Sequence, residues 1–76
     1  MKEIEQIYIV LGVIIFKRKD GKYVSARNMA RGMLSKPDWK VEFVSKWKLR
    51  FMHLGDRMPI KSYHIRPELK EIVENL

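Results

Sequence analysis

Cysteine is missing from this chain altogether. Its absence excludes disulfides and thiolate metal sites, and it fits a reducing compartment. Histidine is nearly missing. His53 and His64 are the two present, too few for an ordinary structural zinc site without carboxylate help. Long apolar runs are missing as well. "IYIVLGVIIF", residues 7–16, is half the ~20 residues that a spanning helix needs. The flank before it, "MKEIEQ", holds two acids, and no small-residue cleavage site follows, which argues against a signal peptide. No membrane association is expected, and the expected location is the cytoplasm of a cell or of an infected host. There is no Walker loop, GxGxxG, HExxH, CxxC or GxSxG run. Nucleotide hydrolysis, zinc proteolysis and esterase chemistry therefore have no foothold, and no cofactor is expected.

Acid is the last scarcity. Sixteen Lys and Arg face nine Asp and Glu, a formal net charge of +7 over 76 residues. The excess is central: residues 17–66 hold 14 basic and 4 acidic side chains, while both ends are mildly acidic. A basic body of this kind points to phosphate, nucleic acid or an acidic protein surface. The length predicts one domain, 1–76, with a small core. With no disulfide or metal to staple it, a homodimer is expected.

Residues 4–19 are rich in β-branched and aromatic side chains without helical periodicity, and predict one buried strand, bulged at Gly12. Asp20-Gly21 predicts a hairpin returning through 22–25. Ala26, Met29, Ala30, Met33 and Leu34 fall at helical spacing, which predicts a helix over 26–36 with Ser25 as its N-cap and Pro37 beyond its end. "WKVEFVSKWKLRF", residues 39–51, alternates oily and basic side chains and predicts one long bent strand or two strands folding back near Ser45. "IKSYHI" predicts a short strand. "RPELKEIVENL" predicts a helix, with Pro67 at its first position and Leu69, Ile72, Val73 and Leu76 on one face. The expected fold is α+β, a small antiparallel sheet in β-β-α-β-β-α order with two helices packed on it.

Three basic sets are candidate polyanion contacts. Lys17, Arg18, Lys19 and Lys22 crowd the hairpin tip. Lys40, Lys46, Lys48 and Arg50 share one side of the expected strand. Arg27 and Arg31 stand one turn apart on the expected helix. Like charges stacked on one face repel, and a phosphate backbone relieves that repulsion with counterion release. The plainer readings are a solvated strand face and a polar turn whose lysines block edge pairing. Trp39, Phe43, Trp47 and Phe51, in phase with Val41 and Leu49, predict a core face rather than a stacking platform, and Met29 and Met33 predict core filling. Tyr8, Tyr23 and Tyr63 are the remaining rings that could stack on bases. His53 and His64 are the sole acid–base candidates for a small ribonuclease, and no third orienting group is spaced with them.

These sets, "KRKDGK" and "KWKLR", on a short cysteine-free α+β chain resemble small phage-encoded proteins that disarm host defences through RNA, among them RNA-binding inhibitors of toxin–antitoxin systems. The resemblance implies a host or phage-defence ribonucleoprotein target. The expected function is a non-enzymatic RNA-binding protein that grips the phosphate backbone, with RNA favoured over DNA. A protein–protein inhibitor docking its basic face on an acidic host protein is one alternative. A metal-independent ribonuclease toxin is another.

Overall fold

The computed structural model describes residues 2–32, 36–61 and 64–76. Its elements, in chain order, are β1 (Ile4–Val10), β2 (Val13–Arg18), β3 (Tyr23–Asn28), β4 (Trp39–Phe43), α1 (Lys46–Phe51), a 3-10 turn (Leu54–Asp56) and α2 (Pro67–Asn75). The four strands form one antiparallel sheet in the order β1-β2-β3-β4. The α+β class is as expected, but both helices follow all four strands.

The strand expected over 4–19 is instead a hairpin. Val10 pairs with Val13 across a two-residue turn, and both turn residues have positive φ, Leu11 at 50° and Gly12 at 80°. That is the type I′ geometry that matches strand twist. Gly12 takes the conformation freely, whereas Leu11 takes it at a cost. At the Asp20-Gly21 hairpin, the Arg18 N–H donates to the Lys22 carbonyl at 2.9 Å, and the Lys22 N–H donates to Asp20 Oδ1 at 3.1 Å.

The helix expected over 26–36 is absent from 26–32, and Met33 and Leu34 lie outside the described residues. Ala26 is buried in the sheet between Ile14 and Val41. Pairing on both edges of β3 outweighs a helical spacing worth only tenths of a kcal/mol per residue. Met29 is exposed. The strand ends where Asn28 Oδ1 accepts from the Ala30 and Asp38 N–H groups at 3.0 and 3.1 Å.

The expected long strand stops at Phe43. Ser45 Oγ accepts from the Lys48 N–H at 3.3 Å and caps α1, as a serine N-cap does. The helical phase then turns Leu49 and Met52 onto the sheet. The strand expected over "IKSYHI" is reduced, among the described residues, to an isolated bridge in which the Ile60 N–H donates to the Ile7 carbonyl at 2.7 Å. Helix α2 starts at Pro67 as expected, but of its expected apolar face only Leu69 and Val73 are buried, while Ile72 and Leu76 are exposed.

The sheet is covered on both sides. On one face Ile7, Phe16, Val24 and Ala26 pack with Leu69 and Val73 of α2, flanked by Trp39 and Val41. On the other, Tyr8, Val10 and Ile15 pack with Leu54, flanked by Tyr23, Val44, Leu49 and Met52. Each such large side chain contributes about 1.5–3 kcal/mol on burial. No helix among the described residues is long and apolar enough to cross a membrane.

Candidate nucleic-acid interface

The structure separates the basic residues that the sequence groups together. At the hairpin tip, three of the four cations have carboxylate partners on β1, just before it, or in the turn. Lys17 Nζ is 3.6 Å from Glu5, and Lys19 Nζ is 3.0 Å from Glu3. Arg18 is 1% exposed. Its Nε donates to Asp20 Oδ1 at 3.1 Å, and its second terminal nitrogen donates to Asp20 Oδ2. Its Nη1 donates to the Val73 carbonyl at 3.1 Å. That carbonyl belongs to the last turn of α2, where orphan acceptors favour a cation. The Arg18 guanidinium holds the Asp20 carboxyl at about 2, against an ordinary 3.8. Paired with Lys19, the Glu3 carboxyl is held low and the Lys19 ammonium is held high. Lys22 lies over the Phe43 ring, 5.3 Å from its centroid, and Arg18 lies at the same distance. A buried arginine with three hydrogen bonds is part of the core and is not presented to a ligand.

The second set behaves differently. Lys40 is on β4, whereas Lys46, Lys48 and Arg50 are on α1, so the expected four-membered strand face does not form. Because Leu49 and Met52 point inward, the other side of this short helix carries Trp47 and Phe51 outward, 79% and 89% exposed. These two rings, expected in the core, are four residues apart and neighbours on one helix face. Arg50 and His53 border them on one side, and Lys48 and Arg57 on the other. Leu11, at the tip of the first hairpin, is 93% exposed beside them. Phe43 is also exposed, and Trp39 is half-buried against the α2 face.

Lys48 connects this shelf to a groove of about 200 Å³ on the same side of the sheet. Its polar walls are Ser25, Arg27, Lys40, Glu42 and Lys48. Arg27 and Lys40 are direct cross-strand partners, a like-charge pairing that costs the sheet stability. Among the described residues, Arg27, Lys40, Lys46, Lys48 and Arg50 have no carboxylate within ion-pairing distance. Glu42 is the one acid lining the groove. Arg31 is exposed past the end of β3 and not one helical turn from Arg27.

The two histidines do not belong to one neighbourhood. His53 follows Met52 of the α1-side core, and His64 precedes Ile65 of the α2-side core. No group of three His, Asp or Glu side chains spaced for a metal occurs among the described residues. Tyr8 and Tyr23 serve the α1-side core, and Tyr63 lies outside the described residues. The sequence reading missed Trp47, Phe51, Leu11 and Arg57 as site residues. The available signal was Ser45, a helix cap placed where the alternation would have to continue.

Comparison with known proteins finds no matching family model, no matching curated protein and no matching solved structure.

Proposed function

We propose that this is a non-enzymatic, RNA-binding protein that takes a single strand across the α1 side of the sheet. The observation that carries this reading is the pair of exposed rings, Trp47 and Phe51, flanked by cations that have no carboxylate partner among the described residues. Single-strand binders combine those two elements, a cationic track for the backbone and aromatic faces on which bases stack. Arg27 and Lys48 would hold phosphates in the groove, while Trp47 and Phe51 would take bases. RNA is favoured over DNA by the resemblance to RNA-directed anti-defence proteins, and a ribonucleoprotein of the host is the corresponding target.

The test is fluorescence anisotropy with a mixed-sequence single-stranded RNA over a salt series, with a DNA strand and an RNA duplex beside it. Affinity should fall steadily as salt rises, since each neutralised phosphate releases counterions. Trp47→Ala and Phe51→Ala should each weaken binding by about 1–3 kcal/mol, the usual worth of a stacked base. Salt-independent affinity would eliminate the reading.

A second reading has its own support. Leu11, Trp47 and Phe51 form an exposed apolar cluster rimmed by Lys48 and Arg57, the anatomy of a protein-binding hot spot facing an acidic surface. Pull-down with and without nuclease separates the two. Partners retained after digestion favour protein docking, and partners lost favour RNA.

A further inference from the structure

Strand β4 is an open edge whose side chains are self-complementary. Its ladder with β3 fixes which backbone groups face outward. The Val44 N–H donates to Tyr23 and the Met29 N–H donates to Asp38. In an antiparallel ladder, bonded and non-bonded pairs alternate. Residues 38, 40, 42 and 44 therefore bond to β3, and Trp39, Val41 and Phe43 turn their N–H and C=O groups away from it. Among the described residues nothing bonds to those six groups. The opposite edge differs, because Ile60 already bonds to β1 at Ile7.

We propose that β4 pairs with β4 of a second copy of this chain, antiparallel, about a two-fold axis at Val41. In that register Trp39 faces Phe43 of the second copy, Val41 faces its own equivalent, and Lys40 faces Glu42. The outward groups of Trp39, Val41 and Phe43 become bonded pairs, as the alternation requires. The two opposite-charge pairs lie on the α1 side and the aromatic pairs on the α2 side. Shifting the axis by one residue destroys the match. Centred on Lys40, the strands oppose Lys40 to Lys40; centred on Glu42, they oppose Glu42 to Glu42. Like charges directly opposite disfavour pairing, so the sequence of β4 selects one register. An exposed edge that would otherwise aggregate is closed by a finite, symmetric contact. The product is a continuous eight-stranded sheet with both aromatic shelves on one side, leaving Arg27 and Lys48 to line each groove.

The test is sedimentation velocity across a dilution series of the intact chain, which should show a dimer. Lys40→Glu opposes two acids at both ends of the joint and should weaken association on the order of tenfold. Lys40→Glu combined with Glu42→Lys should restore it. Val41→Pro removes an N–H that points away from β3, a substitution edge strands tolerate. It should give a monomer with an unchanged far-ultraviolet circular dichroism spectrum. If it does not fold, the charge swap still decides. The chain has no cysteine of its own. A Lys40→Cys, Glu42→Cys variant should therefore form an intermolecular disulfide across a Cα separation of about 4.5 Å. A wild-type monomer at every concentration, or a dimer indifferent to Lys40→Glu and Val41→Pro, overturns the proposal. RNA binding enters none of these readouts, so this proposal and the functional reading can fail separately.

Discussion

The β2–β3 hairpin and the α1 helix are similarly rich in cations, "KRKDGK" against "KWKLR", and their cations have opposite fates. In the hairpin the cations turn inward or onto carboxylates. Arg18 is buried with Asp20 and the end of α2, while Lys17 and Lys19 reach Glu5 and Glu3. On α1, Lys46, Lys48 and Arg50 keep no acidic partner among the described residues and stand beside rings that face water. One set of charges is tied into the fold by ion pairs, and the other set, among the described residues, is not. Local charge density does not distinguish the two. What does is whether the topology brings acids alongside, and the hairpin receives them from its own turn and from the segment 3–5 at the start of the chain's first strand.

The contrast can be broken most forcefully at Arg18. Arg18→Ala removes a buried ion-pair partner and leaves Asp20 and the Val73 carbonyl without it. It should destabilise the fold by about 3 kcal/mol, read by urea denaturation, while the RNA affinity of the folded fraction stays unchanged. A loss of affinity without a loss of stability would place Arg18 in the wrong class.

Acid probes the same contact from its other end. The Asp20 carboxyl is lowered to about 2 in the folded chain and regains its ordinary 3.8 on unfolding. Its contribution is therefore complete above about pH 4 and is lost as pH falls toward 2. Asp20→Asn should lower stability at neutral pH and flatten that part of the stability–pH curve; an unaltered curve counts against the pair.

On the other side of the comparison, Lys48→Glu should weaken RNA binding by about tenfold, or 1.4 kcal/mol. It should also reduce the salt slope by about one contact and shift stability by no more than ~0.5 kcal/mol. Smaller still, Leu11→Asn puts a residue suited to positive φ into the first turn and should stabilise the fold by about 0.5–1 kcal/mol. The same change should weaken whatever docks on the apolar cluster. Smallest is Lys19→Ala, which removes an exposed pair with Glu3 and should leave both the urea midpoint and RNA binding unchanged.

Features set by local chemistry were legible in the sequence. Asp20-Gly21 is a turn signal in its own right, and Pro67 followed by Leu69 and Val73 marks a helix start and its buried face. The α+β class follows from such pieces. Features set by long-range pairing were not legible. Leu11-Gly12 lacks the Asn or Asp that advertises a type I′ turn, so two strands read as one. With that hairpin hidden, nothing placed Glu3 and Glu5 beside Lys19 and Lys17, and the tip looked like an open cationic finger. Ala26 has a helical spacing to Met29 and Ala30 but is held in β3 by neighbours on both sides. The candidate site was half visible. Lys40, Lys48 and Arg27 were singled out by charge, whereas Trp47 and Phe51 were assigned to the interior because a two-residue period was carried through Ser45, where the chain changes to a helical one.

The strand order also has a kinetic consequence. Each strand pairs with its predecessor, so the sheet can assemble by short steps along the chain, each closing a small loop at little entropic cost. The Arg18–Val73 hydrogen bond is of another kind, spanning 55 positions. Docking of α2 is then the slow, non-local event. It simultaneously shields one oily side of the meander and completes the coordination of a guanidinium already drawn under it. Amides of β2 and β3 should gain hydrogen-exchange protection in two stages during refolding, with the later stage giving weaker protection when residue 18 no longer carries a charge.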